Sequence, residues 1–225
     1  MARIAAALRL PTYVARRAVD AISIDGNLSE ASWARASRIT EFRDIFKPER
    51  QQRFPTEARI IWDAANLYVA FLCSDDEPWG TLAKRDDHLW NEEVVEVFLD
   101  PDGDGRNYAE LEVSPNNVVV DLLLARPRAP LDEALRWDIE GLQTAVTKTS
   151  SGWIAEIAIP WTSLAVAGAS GPPQPDDRWR VGLYRIKRPD RGRRKADDEY
   201  SAWALTRPEF GFHDPERFGS VVFAE

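Results

Sequence analysis

Cysteine, histidine and methionine are nearly missing from this 225-residue chain, which holds one, two and one of them. A lone cysteine, Cys73, closes no internal disulfide. Inside the apolar run "LYVAFLC" it reads as a buried small hydrophobe. Two histidines, His88 and His213, fall short of a three-histidine zinc site. No apolar run is long enough to span a membrane, so a membrane is not an expected partner. The N-terminal "MARIAAALRLPTYVARR" is too short and too interrupted by arginine for a signal peptide. Gly-x-Ser-x-Gly, P-loop and Rossmann fingerprints do not occur. Positive charge is also in deficit, with 29 Lys and Arg against 37 Asp and Glu, a net −8. Such a surface repels a phosphate backbone, and nucleic acid is not an expected partner.

What is present is apolar and aromatic. Apolar residues make up 44% and there are nine tryptophans, enough for a substantial core. Helical periodicity is scarce, and short apolar runs alternate with turn residues. This pattern predicts an all-β fold: a two-sheet, mostly antiparallel β-sandwich, jelly-roll or immunoglobulin-like, with short helical turns. "ARIIWDAANLYVAFLC" reads as two strands around Asp63–Asn66, and "LQTAVTKTSSGWIAEIAIP" as a hairpin turning at Ser150–Gly152. "WRVGLYRIK" and "GSVVFA" are further strands. "NLSEASWARA" reads as a helical turn capped by Ser29, and "PWTSLA" as another. "RPDRGRRKADDE" reads as a solvated charged loop that could also neutralise acidic groups nearby. Strand patterns continue on both sides of every loop, so residues 1–225 are expected to form a single domain, with 1–20 set aside as an N-terminal arm. Trp33, Trp62, Trp153, Trp161, Trp179 and Trp203 fall in or beside strand and turn patterns that would bury them. Trp79 and Trp137 stand in loop-like stretches.

Two strands place acids where alternation predicts one shared face. In "EVVEVFLD", Val95, Val97 and Leu99 point one way, and Val94, Glu96 and Phe98 the other. In "YAELEV", Ala109, Leu111 and Val113 oppose Tyr108, Glu110 and Glu112. Asp121 of the next strand is a further candidate for that face. Like charges on one sheet face repel. The face is therefore expected to hold cationic partners, a metal, or a ligand rich in hydroxyl donors. A sugar fits, because carboxylates accept charge-assisted bonds from hydroxyls. Trp90, just before the first strand, is placed to stack on a sugar ring. The alternative is a solvated outer face with Trp90 as a core plug.

"SIDGNLSEASW", "ARIIWDAANLYVAF", "LWNEEVVEVFLDPDGDGRNY", "GWIAEIAIPW" and "HDPERFGSVVF" occur in order from about Ile24 to the C-terminus. Together they resemble the family 9 carbohydrate-binding modules, of the wider DOMON-like β-sandwich group. The resemblance implies a sugar chain end held between two aromatic rings. The implied ligands are glucose, xylose, and short cello- or xylo-oligosaccharides, and the implied setting is extracellular or periplasmic. The first ring would be Trp90, with Glu96 as the sugar-binding acid. In "FHDPERFG", Phe212 stands where a tryptophan is expected and His213 where an arginine is. A sugar-binding arginine of the family falls at Glu112, a charge reversal. Tyr184 and Arg185 in "GLYRIK" are the nearest polar residues on the strand that supplies further sugar contacts. Phenylalanine offers a smaller ring face than tryptophan, so a weaker or different ligand is implied.

"DPDGDG" sets Asp100, Asp102 and Asp104 at alternate positions, like the first half of a calcium loop. Leu111 stands where an EF-hand has its twelfth-position Glu, so this is not that motif. Relatives carry structural calcium, and a polar hairpin turn is the other reading. Some DOMON relatives hold haem through an axial methionine. The only methionine here is Met1, so haem is not expected. Three functions compete. The first is non-catalytic binding of a mono- or oligosaccharide. The second is a glycoside hydrolase using two of Glu96, Glu110 and Glu112. The third is a scaffold domain whose sugar site has decayed.

Overall fold

A computed structural model describes residues 10–225. The Ala-rich N-terminal patch lies mostly outside the described residues. The strands are β1 (Thr12–Arg17), β2 (Arg43–Asp44), β3 (Thr56–Trp62), β4 (Asn66–Ser74), β5 (Val94–Asp100), β6 (Tyr108–Val113), β7 (Val119–Leu124), β8 (Gln143–Thr149), β9 (Gly152–Pro160), β10 (Arg178–Lys187), β11 (Glu199–Ala202) and β12 (Gly219–Ala224). Among the described residues, helix is confined to α1 (Ala31–Arg35), α2 (Leu131–Ala134) and short 3-10 turns, one of them Trp161–Ala167. No helix among the described residues is long and apolar enough to cross a membrane.

The strands form one mixed sheet in the order β7-β6-β5-β10-β12-β1-β3-β4-β9-β8, with β11 and β2 attached at β10. Val95 and Val97 of β5 share a core with Val69 and Phe71 of β4, though four strands separate them in that order. Sharing it requires the sheet to curl back on itself. The two layers expected of a sandwich are thus two halves of one curled sheet. Neighbouring strands are antiparallel except around β1, which runs parallel to both β12 and β3. The stretch set aside as an N-terminal arm therefore supplies a central strand from Thr12 on. Its Tyr13 and Ala15 are buried against the main core, with Val14 and Arg16 outward, a clean period of two.

Two smaller apolar clusters cover the outer faces. One packs Trp33, Ile61, Tyr68, Ala70 and Ala158 together. It explains two of the sequence motifs at once. Glu156 of β9 is fully buried and receives the backbone N–H groups of Asp25 and Gly26 and the indole N–H of Trp33. Gly26 has a positive φ of 81°, and a Cβ there would lie 2.6 Å from the Thr147 hydroxyl, so glycine is required. The start of α1 is satisfied by Asp20, whose carboxylate accepts from the Ala31 and Ser32 N–H groups. Ser29, the expected cap, does not hold it; Glu30 occupies the cap position without a side-chain bond to the helix. The six tryptophans expected to be buried are all buried. The second outer cluster lies on β5, β6, β7 and β10 and carries the acids.

Candidate functional site

The register places the acids side by side. Glu96 on β5 sits directly opposite Glu112 on β6, and Phe98 opposite Glu110. On the far side of β5, Glu96 faces Tyr184 of β10. The expected alternation holds, so Glu96, Glu110 and Glu112 emerge on the face that also carries Val94, Phe98 and Tyr108. Asp121 does not join them. It pairs with Leu111, a residue of the opposite face, and its carboxylate is taken by Arg85 and the Ile139 N–H. Asp121 was one residue out of phase, and a strand turns each successive side chain to the other face.

The three glutamates are buried, and each offers an oxygen within 4.8 Å of the other two. One oxygen of each, Oε1 of Glu96, Oε2 of Glu110 and Oε2 of Glu112, has no hydrogen-bond partner. Burial raises all three acids above the ordinary carboxylate range, Glu110 to about 8. Repulsion from Glu110 raises Glu96 further, and Glu96 and Glu110 together raise Glu112. This is the pattern of carboxyls kept neutral by an apolar, like-charged setting.

These acids open into a cavity of about 350 Å³. Trp90, Phe212 and His213 line it with them, so the structure brings together six of the eight residues singled out as sugar-binding. Trp90 is half-buried in a 3-10 turn, Leu89–Asn91. His88 stacks on Trp90 with ring centroids 4.5 Å apart and lines a separate polar cleft. Phe212 lies flat on Tyr184 at 4.2 Å and 10°, so one face of the ring is covered. Nδ1 of His213 is 3.1 Å from the Tyr108 hydroxyl and 3.8 Å from Glu110. Burial, with a contribution from Arg128, lowers the His213 imidazole to about 4, so it is neutral near pH 7.

Two expected residues lie elsewhere. Tyr184 is fully buried beneath Phe212, and it supports the wall instead of lining the cavity. Arg185 follows it on β10 and therefore points to the opposite face. There its guanidinium pairs with Asp75 at 2.8 Å and donates to the carbonyls of Phe54 and Ser74. Asp75 also takes Lys187, which reaches Glu93, and the four form a buried, balanced ion cluster.

Sequence reasoning missed the mouth and the braces. Phe46, 51% exposed, and Tyr200 meet edge to face at 5.4 Å and line the cavity. Buried Asp44 holds both, accepting from the Phe46 N–H through one oxygen and the Tyr200 N–H through the other. Leu131 and Ala134 of α2 close another side. Arg188 was read into a solvated loop, yet it is buried. Its guanidinium donates to the Trp90 carbonyl at 2.7 Å, the Glu92 carbonyl and the Tyr200 hydroxyl, and pairs with Asp198. It thereby ties two walls together. A lone Phe46 in the polar run "RDIFKPER" was the only available sequence signal.

At the end of β5, Asp100, Asp102 and Asp104 each offer an oxygen within 4.8 Å of the others. Asp100 is buried and accepts from the N–H groups of Gly103 and Gly105, while Asp102 and Asp104 are exposed. Gly103 and Gly105 have φ of 72° and 75°, which lets the chain fold round the carboxylates. Burial is the main cause that lifts Asp100 to about 6. Three converging oxygens on one tight turn could hold a metal ion.

An extracellular protein of Arthroderma benhamiae is 28% identical over 149 residues, covering 60% of this chain and 65% of that protein. The exoglucanase XynX of Acetivibrio thermocellus is 26% identical over 159 residues, covering 71% of this chain but 13% of the enzyme. The chain thus spans less than two thirds of the first relative and a small part of the second. A family 9 carbohydrate-binding module from Caldicellulosiruptor kristjanssonii, solved in complex with cellotriose, superposes with a TM-score of 0.67 at 14% identity. That match covers 95% of this chain and 93% of the module and shows a common fold. Residues 24–225 match the family described as "Carbohydrate family 9 binding domain-like", and the chain belongs to that family.

Proposed function

We propose that the protein binds a sugar or the end of an oligosaccharide, without cleaving it, in the cavity above Glu96, Glu110 and Glu112. The observation that carries this reading is the division of the lining. Trp90 and Phe212 offer apolar ring surface for the C–H faces of a sugar, while the carboxyls offer hydrogen-bonding oxygens for its hydroxyls. Cellotriose bound to the structurally similar module supports the ligand class. The relative named as extracellular supports action outside the cytoplasm. Binding is favoured over hydrolysis by the placement of the acids. Their nearest oxygens lie within 4.8 Å on one sheet face. An inverting pair needs about 6.5–9.5 Å and a retaining pair about 5–5.5 Å, and either must flank the scissile bond, whereas Glu96 and Glu112 stand side by side on neighbouring strands. Calcium at Asp100, Asp102 and Asp104 would be structural, screening three carboxylates that otherwise repel.

Titration of Trp90→Ala with cello-oligosaccharides tests the reading, with thermal melting of the same protein beside it. Losing a stacked ring at a binding hot spot costs about 2–4 kcal/mol, enough to abolish measurable weak binding. Folding should be nearly intact, because Trp90 is half-buried. A variant that binds like the parent, or that melts far lower, refutes the assignment.

A further inference from the structure

We infer that the bound sugar carries an apolar substituent, an O-acyl group or an aryl aglycone, seated between β7 and α2 at the side of the cavity. This rests on the carbohydrate reading above and narrows it.

The lining is uneven. β7 and α2 contribute Leu122, Leu124, Leu131 and Ala134 to it and no polar side chain. Leu131 and Ala134, three positions apart, share one face of α2, while Asp132 and Glu133 between them are exposed and lie outside the lining. Leu122 pairs directly with Glu110 across β6 and β7, so the aliphatic side begins where the carboxyl floor ends. Arg128, on the loop joining β7 to α2, turns its guanidinium to the Glu209 carbonyl and the Phe210 ring. A sugar hydroxyl pressed against that side leaves water and finds no partner, which costs about tenfold in affinity for each one. An unsubstituted hexose has hydroxyls around its whole rim. An apolar group in place of one of them removes the penalty and adds burial.

A second observation comes from the mouth. Among the described residues five large apolar side chains are exposed, and two of them, Phe46 and Leu131, line this one cavity. Exposed apolar surface gathered at a cleft marks contact with a ligand or partner. A wholly apolar ligand suits the flank but not the floor. Protonated carboxyls both donate and accept, so the floor suits hydroxyls, and the cavity has one polar and one apolar side.

The test is calorimetric titration of the full chain with glucose, phenyl β-glucoside, 6-O-benzoylglucose and phenol. The two substituted sugars carry an aromatic ring at opposite ends of the hexose and separate an aglycone from an acyl group. The better of them should bind at least about tenfold tighter than glucose, the gain from burying one ring. In Leu131→Ser, at a partly exposed position, melting should change little and the ratio of those two affinities should fall towards one. Ala134→Leu fills the seat from the buried side of α2 and should lower the ratio as well. Glucose binding as tightly as both substituted sugars overturns the inference and leaves the carbohydrate reading standing, and so does a ratio unchanged in both variants. Phenol binding as tightly as the substituted sugars makes the cavity a plain apolar hole, and both readings fall. They fall too if no sugar binds.

Discussion

Replacing Glu110 by glutamine should make the protein more stable at neutral and mildly alkaline pH. In the unfolded chain this carboxyl loses its proton near 4.5, whereas in the fold burial holds the proton to about 8. Between those values the folded state carries one more proton than the unfolded state, so stability falls as pH rises. Each pH unit in that window costs about 1.4 kcal/mol for one such group. His213 has the opposite sign, because its folded value is lowered, but its contribution is complete above its ordinary 6.5. The window from about 6.5 to about 8 therefore isolates the acids. Across it Glu110 alone should cost the parent about 2 kcal/mol, or about 4–8 °C in Tm for a protein of this size. Glutamine cannot ionise and should remove that slope. It also relieves repulsion on Glu96 and Glu112, which works in the same direction. Glu93, raised to about 7 chiefly by burial, tilts both proteins equally and cancels in the difference. Urea unfolding of parent and variant across the window measures the two slopes. Parallel curves would mean that Glu110 is ionised in the fold, and the argument from burial would fail.

Gly182→Ala should destabilise the fold and weaken sugar binding together, because a Cβ there would lie 2.5–2.7 Å from the Tyr184 ring that carries Phe212; forced overpacking costs about 1–3 kcal/mol, and unchanged melting and binding would count against Tyr184 as a support. Arg185→Met breaks a buried ion pair and should cost about 3–5 kcal/mol in chemical denaturation, while sugar affinity per folded molecule stays as in the parent; a selective loss of affinity would return Arg185 to the site. Added calcium should raise Tm progressively and a chelator should lower it, with Asp102→Ala abolishing the response; a melting curve indifferent to both would leave the Asp100–Gly105 turn merely polar.

The sequence by itself determined what depends on period and local chemistry. Alternation in "EVVEVFLD" and "YAELEV" is enough to say that Glu96, Glu110 and Glu112 share a face, since successive side chains on a strand oppose each other. Turn residues located both hairpins, and ordered motifs identified the family and, through it, Trp90, Phe212 and His213 around the acids. The same logic failed by one residue at Asp121, where the phase of a neighbouring strand depends on register, a long-range property, and the resemblance that named Arg185 could not say which face of β10 it takes. What only the tertiary structure decided is everything set by contacts distant along the chain. "YVAR" is a central parallel strand because its partners lie some 50 and 200 residues away. Arg188 leaves the solvent because the Trp90 turn and Tyr200 present carbonyl and hydroxyl oxygens to it. The acids are buried beneath Phe46, α2 and Phe212, and it is that covering, invisible along the chain, that turns an acidic sheet face into a floor of protonated carboxyls.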